Sequence, residues 1–360
     1  MIRTDFFMKN NLTAQPYPVD IVLHPRWWHI HEGISFDRDF FYHPKRRVED
    51  ERIMEKALYQ RWGQFGLGEN RNQKIPWIGA VHLAAGYLVS EMLGCHINYK
   101  EDDSPQVICA EGEYPVISVE RAFSSSAWDQ VETLKNNLYS QFGMVKGDIN
   151  WGGILNTALD LKGQNLFLEM FDDPQGIHSF LKQIAEVLET FITRISGWTG
   201  TSSISVNRSL INLNQAVYLH SECSHTMISV DDYDCFLKSF DQDWNSRFQP
   251  YGIHYCGKDP HRFAESWSGL MRLDFLDVGA GGDPSILRKH LPNTFLNIRL
   301  DPVTVVKQTP CEIEEDMRIL AGKSGDPLLT GFCCVNLDDT VSVEQIDALF
   351  ETANKLRKEA

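Results

Sequence analysis

The 360-residue chain contains no low-complexity segment, no internal repeat and no linker rich in proline, glycine or serine. That composition excludes a fibrous or mainly disordered protein. Positive charge is in short supply, since 34 Lys and Arg face 49 Asp and Glu and leave a net charge of −15. Such a surface repels phosphate backbones and anionic lipids, so neither a nucleic-acid partner nor a membrane role is expected. Long hydrophobic runs are missing as well. The most apolar stretch, Trp77 to Gly94, is interrupted by His82, Ser90 and Glu91, and is too short and polar to span a bilayer. The opening residues MIRTDFFMKNN lack the apolar centre of a secretion signal. A cytoplasmic protein is the expectation, and its eight cysteines should then be reduced thiols, free to bind metal.

What is present is an ordinary globular balance, 42% hydrophobic and 23% charged, in a chain long enough to bury a large core. Residues 1–20 read as an irregular arm. Helical periodicity marks Pro44–Phe65, Ile78–Leu93 and 127–142, and the short runs Val107–Ala110 and Pro115–Val119 read as a small β-ribbon. From about residue 144 short apolar runs alternate with amphipathic helices. The clearest helix is Pro174–Ser196, with Asp173 as its cap, Pro174 in the first position and Gly197 as its stop. Strands are expected at 203–207, 211–219, 251–256, 274–279, 295–300 and 328–333. A last helix begins at Ser342, where Ser342 and Gln345 form a capping box. Strands alternating with helices argue for a parallel sheet closed into a TIM (β/α)8 barrel rather than left open. The expected organisation is a helical N-terminal extension with its ribbon, 1–143, packed on a barrel formed by 144–360.

The chemistry concentrates in the segment GIHYCGKDPH. His254 and Cys256 are two residues apart, so on a strand both point to one face. Gly257 follows at once, which places the pair at the C-terminal end of the strand, where barrels of this kind keep their active sites. A third soft ligand is available at the end of the last expected strand, as Cys333 or Cys334. One imidazole and two thiolates suit zinc, cancel its charge and leave a fourth position open for catalysis. His and Cys also occur commonly in cores, so the spacing by itself does not establish a metal site.

The order of segments resembles the uroporphyrinogen decarboxylase superfamily. The stretch GDINWGGILNTALDLKGQNLFLEMFDDPQGIHSFLKQI (147–184) is similar to its first barrel unit, FLNIRLDPVTVV (295–306) to its Asn-x-Asp-Pro strand and turn, HSECSHTMISVDDYDCF (220–236) to its central segment, and VSVEQIDALFETANKL (341–356) to its final helix. Within that superfamily, His-x-Cys followed by a late Cys resembles the zinc signature of methylcobalamin:thiol methyltransferases, such as those acting on coenzyme M. The resemblance implies His254, Cys256 and Cys333 as zinc ligands. It also implies a reaction moving a methyl group between a corrinoid and a thiol or other small acceptor or donor. No Asp-x-His-x-x-Gly run is present to bind a corrinoid, so the cobalamin is expected on a partner corrinoid protein. Cobalamin-independent methionine synthase uses a similar His-x-Cys site. A methylfolate-dependent, corrinoid-free thiol methyltransferase is therefore the alternative, disfavoured because that class usually doubles the barrel. True decarboxylases of the superfamily carry an N-terminal Arg-Gln-Ala-Gly-Arg segment. This chain has HPRWWHIHEG there, with Arg26 alone, which speaks against tetrapyrrole decarboxylation. A metal-free barrel binding a small ligand is the non-enzymatic alternative.

Further residues are drawn toward the site. Trp27, Trp28, His29 and His31 either wall a cofactor or substrate pocket, with the tryptophans suited to a corrin face or a quaternary ammonium, or pack an arm on the barrel. His29 and His31 are also a possible second metal pair. Glu222 either orients His254 or accepts a proton, or else is a solvated loop carboxylate. Asn150 and Trp151, closing the first barrel strand, are expected to face the pocket. Asp301 is expected to hold the barrel rim, and GAGGDPS (279–285) to let a substrate approach the backbone without forming a nucleotide site. Cys95, Cys109, Cys235 and Cys311 are expected bystanders.

Overall fold

The computed structural model describes residues 12–69, 87–109, 116–143, 151–199 and 213–360. Its strands are β1 (Val19–Leu23), β2 (His96–Asn98), β3 (Gln106–Ile108), β4 (Tyr218–Ser221), β5 (Tyr251–Tyr255), β6 (Phe275–Val278), β7 (Phe295–Leu300) and β8 (Thr330–Leu337). Six of them form one parallel sheet in the order β1-β8-β7-β6-β5-β4, and β2 and β3 make a separate antiparallel ribbon. With helices intervening between the strands, this is the expected α/β fold of the TIM-barrel class.

Alternation along the strands separates two environments. Ile253, Tyr255, Leu276, Val278, Leu296, Ile298 and Phe332 join the main core, together with the apolar stripes of the covering helices. The opposite face carries, in register, His254 beside Asp277, Asp277 beside Asn297, and Arg299 beside Cys333. At its N-terminal end that face is sealed by Leu12, Val217, Leu219, Phe275 and Phe295, so the polar side chains gather toward the C-terminal end. Polar side chains left on a buried strand face must find partners, and here His254, Asp277, Asn297 and Arg299 bond across neighbouring strands, with Arg299 Nε left over.

The helix Pro174–Thr199 buries Ile177, Leu181, Ile184, Leu188, Ile192 and Ile195. Asp173 caps it by accepting from the Gly176 amide at 3.0 Å. Gly197 does not stop this helix, which runs on to Thr199. The box at the last helix, Val343–Glu359, is formed as expected between Ser342 and Gln345.

Several elements differ from their sequence expectations. The segment read as an irregular arm contains β1, which pairs with β8 and so ties residues ahead of 144 into the barrel sheet. The ribbon joins His96–Asn98 to Gln106–Ile108 rather than Val107–Ala110 to Pro115–Val119. Strand 211–219 is realised as Tyr218–Ser221. The expected strand 203–207 lies outside the described residues, as does most of the helix expected at 78–93, of which Tyr87–Met92 is helical. Most consequential is β8, which continues to Leu337 instead of ending near 333. Cys333 and Cys334 therefore sit in mid-strand on opposite faces, and Cys334 turns into the outer core with its Sγ 3.6 Å from the Leu300 carbonyl.

Candidate metal centre

β4 and β5 are neighbours, with Ser221 paired to His254. Two residues beyond that pair, each chain has just left its strand at a cysteine, Cys223 after β4 and Cys256 after β5. The register thus sets the two thiols side by side. Cys223, His254 and Cys256 offer one donor atom each, and these atoms all lie within 4.8 Å of one another. The Cys223 Sγ stands 3.4 Å from His254 Nε2. His254 is 1% exposed, Cys256 is partly open and Cys223 is exposed, so the group opens outward through its sulfurs. Gly279, in the glycine-rich loop after β6, lets that loop pass directly under the Cys256 turn. A Cβ at Gly279 would lie 1.9 Å from the Gly257 carbonyl oxygen, far closer than a non-bonded carbon can approach.

The other nitrogen of His254 is committed. Nδ1 meets Asp277 Oδ2 at 2.5 Å, and since a carboxylate only accepts, the ring donates there and turns Nε2 toward the thiols. Asp277 is fully buried and held by Arg299 Nη2 at 3.1 Å and Asn297 Nδ2 at 3.2 Å. Burial opposes its charge, but Arg299 first and then His254 hold the carboxyl below its ordinary range. Burial likewise works against a charged His254, and Asp277 outweighs it and raises the ring. Between the sulfurs, the hydrogen bond from Cys223 is the largest influence pulling Cys256 down, to about 4, with His254 and Arg299 assisting against burial. The same bond, then burial, pushes Cys223 up.

The residues expected from sequence are distributed as follows. His254 and Cys256 come together as their spacing implies. Cys333 is not in the group that closes within 4.8 Å. It is fully buried, and its Sγ approaches Asp277 Oδ1 at 3.7 Å, the carboxylate oxygen that His254 does not use. The reason is the length of β8, which keeps Cys333 below the strand ends. Cys223, which no spacing singled out, stands in the group instead. The visible signal was that His-Ser-Glu-Cys closes one strand as His-Tyr-Cys closes the next.

Glu222 neither orients His254 nor sits in solvent. It is fully buried, accepts from the amides of Leu155 at 2.7 Å and Asn156 at 3.3 Å, and contacts His220 Nε2 at 3.2 Å. The orienting role falls to Asp277. Trp27 and Trp28 are buried in the helix Pro25–Glu32, Trp27 packing on Trp28, His31 and Trp62 with Arg61 over its ring. Neither indole offers a face to a cofactor. His29 bonds the Ile34 carbonyl at 3.1 Å, and two residues apart on a helix it cannot share an ion with His31. Asn150 lies outside the described residues. Trp151 is buried and stacks on His220 at 5.7 Å rather than facing an opening. Asp301 caps the short helix Pro302–Val305, a rim role as expected.

No family model matches the sequence, and no curated protein matches it either. Solved structures do. A methyltransferase from Methanosarcina mazei superposes with a TM-score of 0.64 at 12% identity, covering 95% of this chain and 94% of that one. A B12-independent methionine synthase from Shewanella sp. W3-18-1, in complex with selenomethionine, gives 0.52 at 10% identity, covering 96% and 99%. At these identities the likeness is one of fold.

Proposed function

We propose that the protein is a zinc-dependent methyltransferase that moves a methyl group between a corrinoid held by a partner protein and a thiol. The observation that carries this reading is the convergence of Cys223, His254 and Cys256 at the C-terminal ends of neighbouring barrel strands. Two sulfurs and one nitrogen are a donor set that suits zinc and leaves a fourth position for a substrate. A zinc ion bound there would lower the pKa of a substrate thiol, so that its sulfur is nucleophilic at neutral pH. The chain's own residues supply the rest. Asp277 fixes the His254 tautomer, Arg299 keeps Asp277 ionised, and the exposure of Cys223 leaves the centre reachable from outside. The likeness in fold to the Methanosarcina methyltransferase supports the assignment. The corrinoid is assigned to a partner because the sequence holds no Asp-x-His-x-x-Gly run.

A second reading, methyl transfer from a methylfolate without corrinoid, is favoured by the end-to-end likeness to the B12-independent methionine synthase. Methylcobalamin and methyltetrahydrofolate, each offered with a thiol, separate the two.

The first test is elemental analysis of protein purified without added metal. About one zinc per chain is expected, lost in Cys223→Ala and in Cys256→Ala and kept in Cys333→Ala. A folded wild-type protein that takes up no zinc on reconstitution would overturn the mechanism. Loss in Cys333→Ala with retention in Cys223→Ala would restore the ligand set that the sequence resemblance implies.

A further inference from the structure

Cys223 begins a short 3-10 turn, Cys223–Met227, just beyond the end of β4. No strand ladder fixes it there, yet a metal donor must be held to a fraction of an ångström. The restraint comes from the first turn of the helix Ile154–Lys162. The Gly153 amide donates to the Ser221 carbonyl at 2.6 Å. Asn156, three residues further on, reaches both flanks of the cysteine. Its Nδ2 donates to the Ser221 carbonyl at 2.9 Å and its Oδ1 accepts from the Ser224 amide at 2.8 Å. One side chain thus brackets Glu222 and Cys223, because a primary amide carries a donor and an acceptor on one planar group.

Glu222 is anchored from inside the bracket. Its carboxylate takes the amides of Leu155 and Asn156, standing in for the cap that Gly153 lacks. A Cβ at Gly153 would fall 2.3 Å from Glu222 Oε1, so glycine is required there. The Glu222 amide donates to the His254 carbonyl at 3.1 Å, which ties the bracket to the strand carrying the other two donors.

We propose that Asn156 is the positioning residue that makes Cys223 a metal donor, by clamping the turn that carries it. This rests on the proposed metal centre. Asn156 is only partly buried, and both of its side-chain bonds go to the segment around Cys223, so its replacement acts on the site rather than on the core.

The test uses the full-length protein loaded with cobalt(II), whose sulfur-to-metal charge-transfer absorption grows with each bound thiolate. Cys223→Ala, which does not retain metal through purification, is saturated with excess cobalt to supply the one-thiolate reference. Asn156→Ala is expected to bind cobalt roughly 10- to 100-fold more weakly, with a band close to that reference. Asn156→Asp keeps the acceptor for Ser224 but sets a carboxylate oxygen against the Ser221 carbonyl in place of the donor, and should weaken cobalt binding at least as much as Asn156→Ala. In metal-free protein, alkylation of Cys223 should change rate in Asn156→Ala, because the turn is no longer held. Should Asn156→Ala fail to fold, Asn156→Asp decides alone. Wild-type affinity and band in the Asn156 variants, with the band reduced in Cys223→Ala, would overturn the clamp and leave the metal centre standing. A wild-type protein that binds no cobalt, or a Cys223→Ala band equal to wild type, would overturn the metal centre and the clamp together.

Discussion

The two ring nitrogens of His254 have different partners, and the difference carries a measurable consequence. Nδ1 is spent on Asp277, and that hydrogen bond sets which nitrogen is left as a donor. Asp277→Asn removes the charge that favours the bond and leaves Arg299 without its carboxylate. Zinc affinity should fall roughly 10- to 100-fold, read by competition with a chromophoric chelator, and an unchanged affinity would remove Asp277 from the site. At this scale the sequence was partly legible. His254 and Cys256 declare themselves because strand alternation puts residues two apart on one face. Cys223 does not, because its membership depends on Ser221 pairing with His254, and pairing register is a property of two segments that neither one encodes. Glu222 was legible as a residue near the site but not in its role, since its partners lie on a helix that precedes it in the chain.

At the scale of elements, β1 and β8 show how a strand escapes notice. VDIVL is short, preceded by an irregular proline-containing stretch, and its partner comes from the far end of the chain. By contrast β5, β6 and β7 are compact apolar runs, and their boundaries were read to within a residue. The pairing of β1 with β8 contains a bulge. Val22 pairs with Val335 and Leu23 with Leu337, leaving Asn336 over, at a φ of 66°. That conformation suits asparagine and glycine and penalises a β-branched residue. Asn336→Gly should hold or slightly raise stability, whereas Asn336→Val should lower it by roughly 1–2 kcal/mol in urea unfolding. Equal stability of the two variants would argue against the bulge. The β-ribbon was misplaced for a related reason. Its two strands are only three residues each, too short for alternation to show.

Across the whole molecule, a buried ion cluster couples folding to pH. His220 lies between Asp241, at 2.7 Å from Nδ1, and Glu222, and Asp241 also receives the hydroxyls of Tyr233 and Tyr251. Burial disfavours the charged ring, but Asp241 and then Glu222 raise it from 6.5 to about 9. A raised folded-state value means that this contribution is fully present below 6.5 and is lost as pH rises through about 9. Asp241 is shifted the opposite way, so its contribution is present above its ordinary value and is lost in acid. The melting temperature should therefore decline between pH 7 and 9.5, and His220→Gln, less stable overall, should show a flatter decline. A wild-type profile already flat over that range would remove the cluster from the stability of the fold. The barrel class was legible at this scale from the strand and helix alternation after residue 144, although β1 shows that the N-terminal segment is woven into the same sheet. The depth of the imidazole has a last consequence. Cys223 and Cys256 belong to residues that reach the surface, whereas His254 is sealed in. An acylating reagent aimed at imidazole should therefore leave His254 untouched in the folded protein.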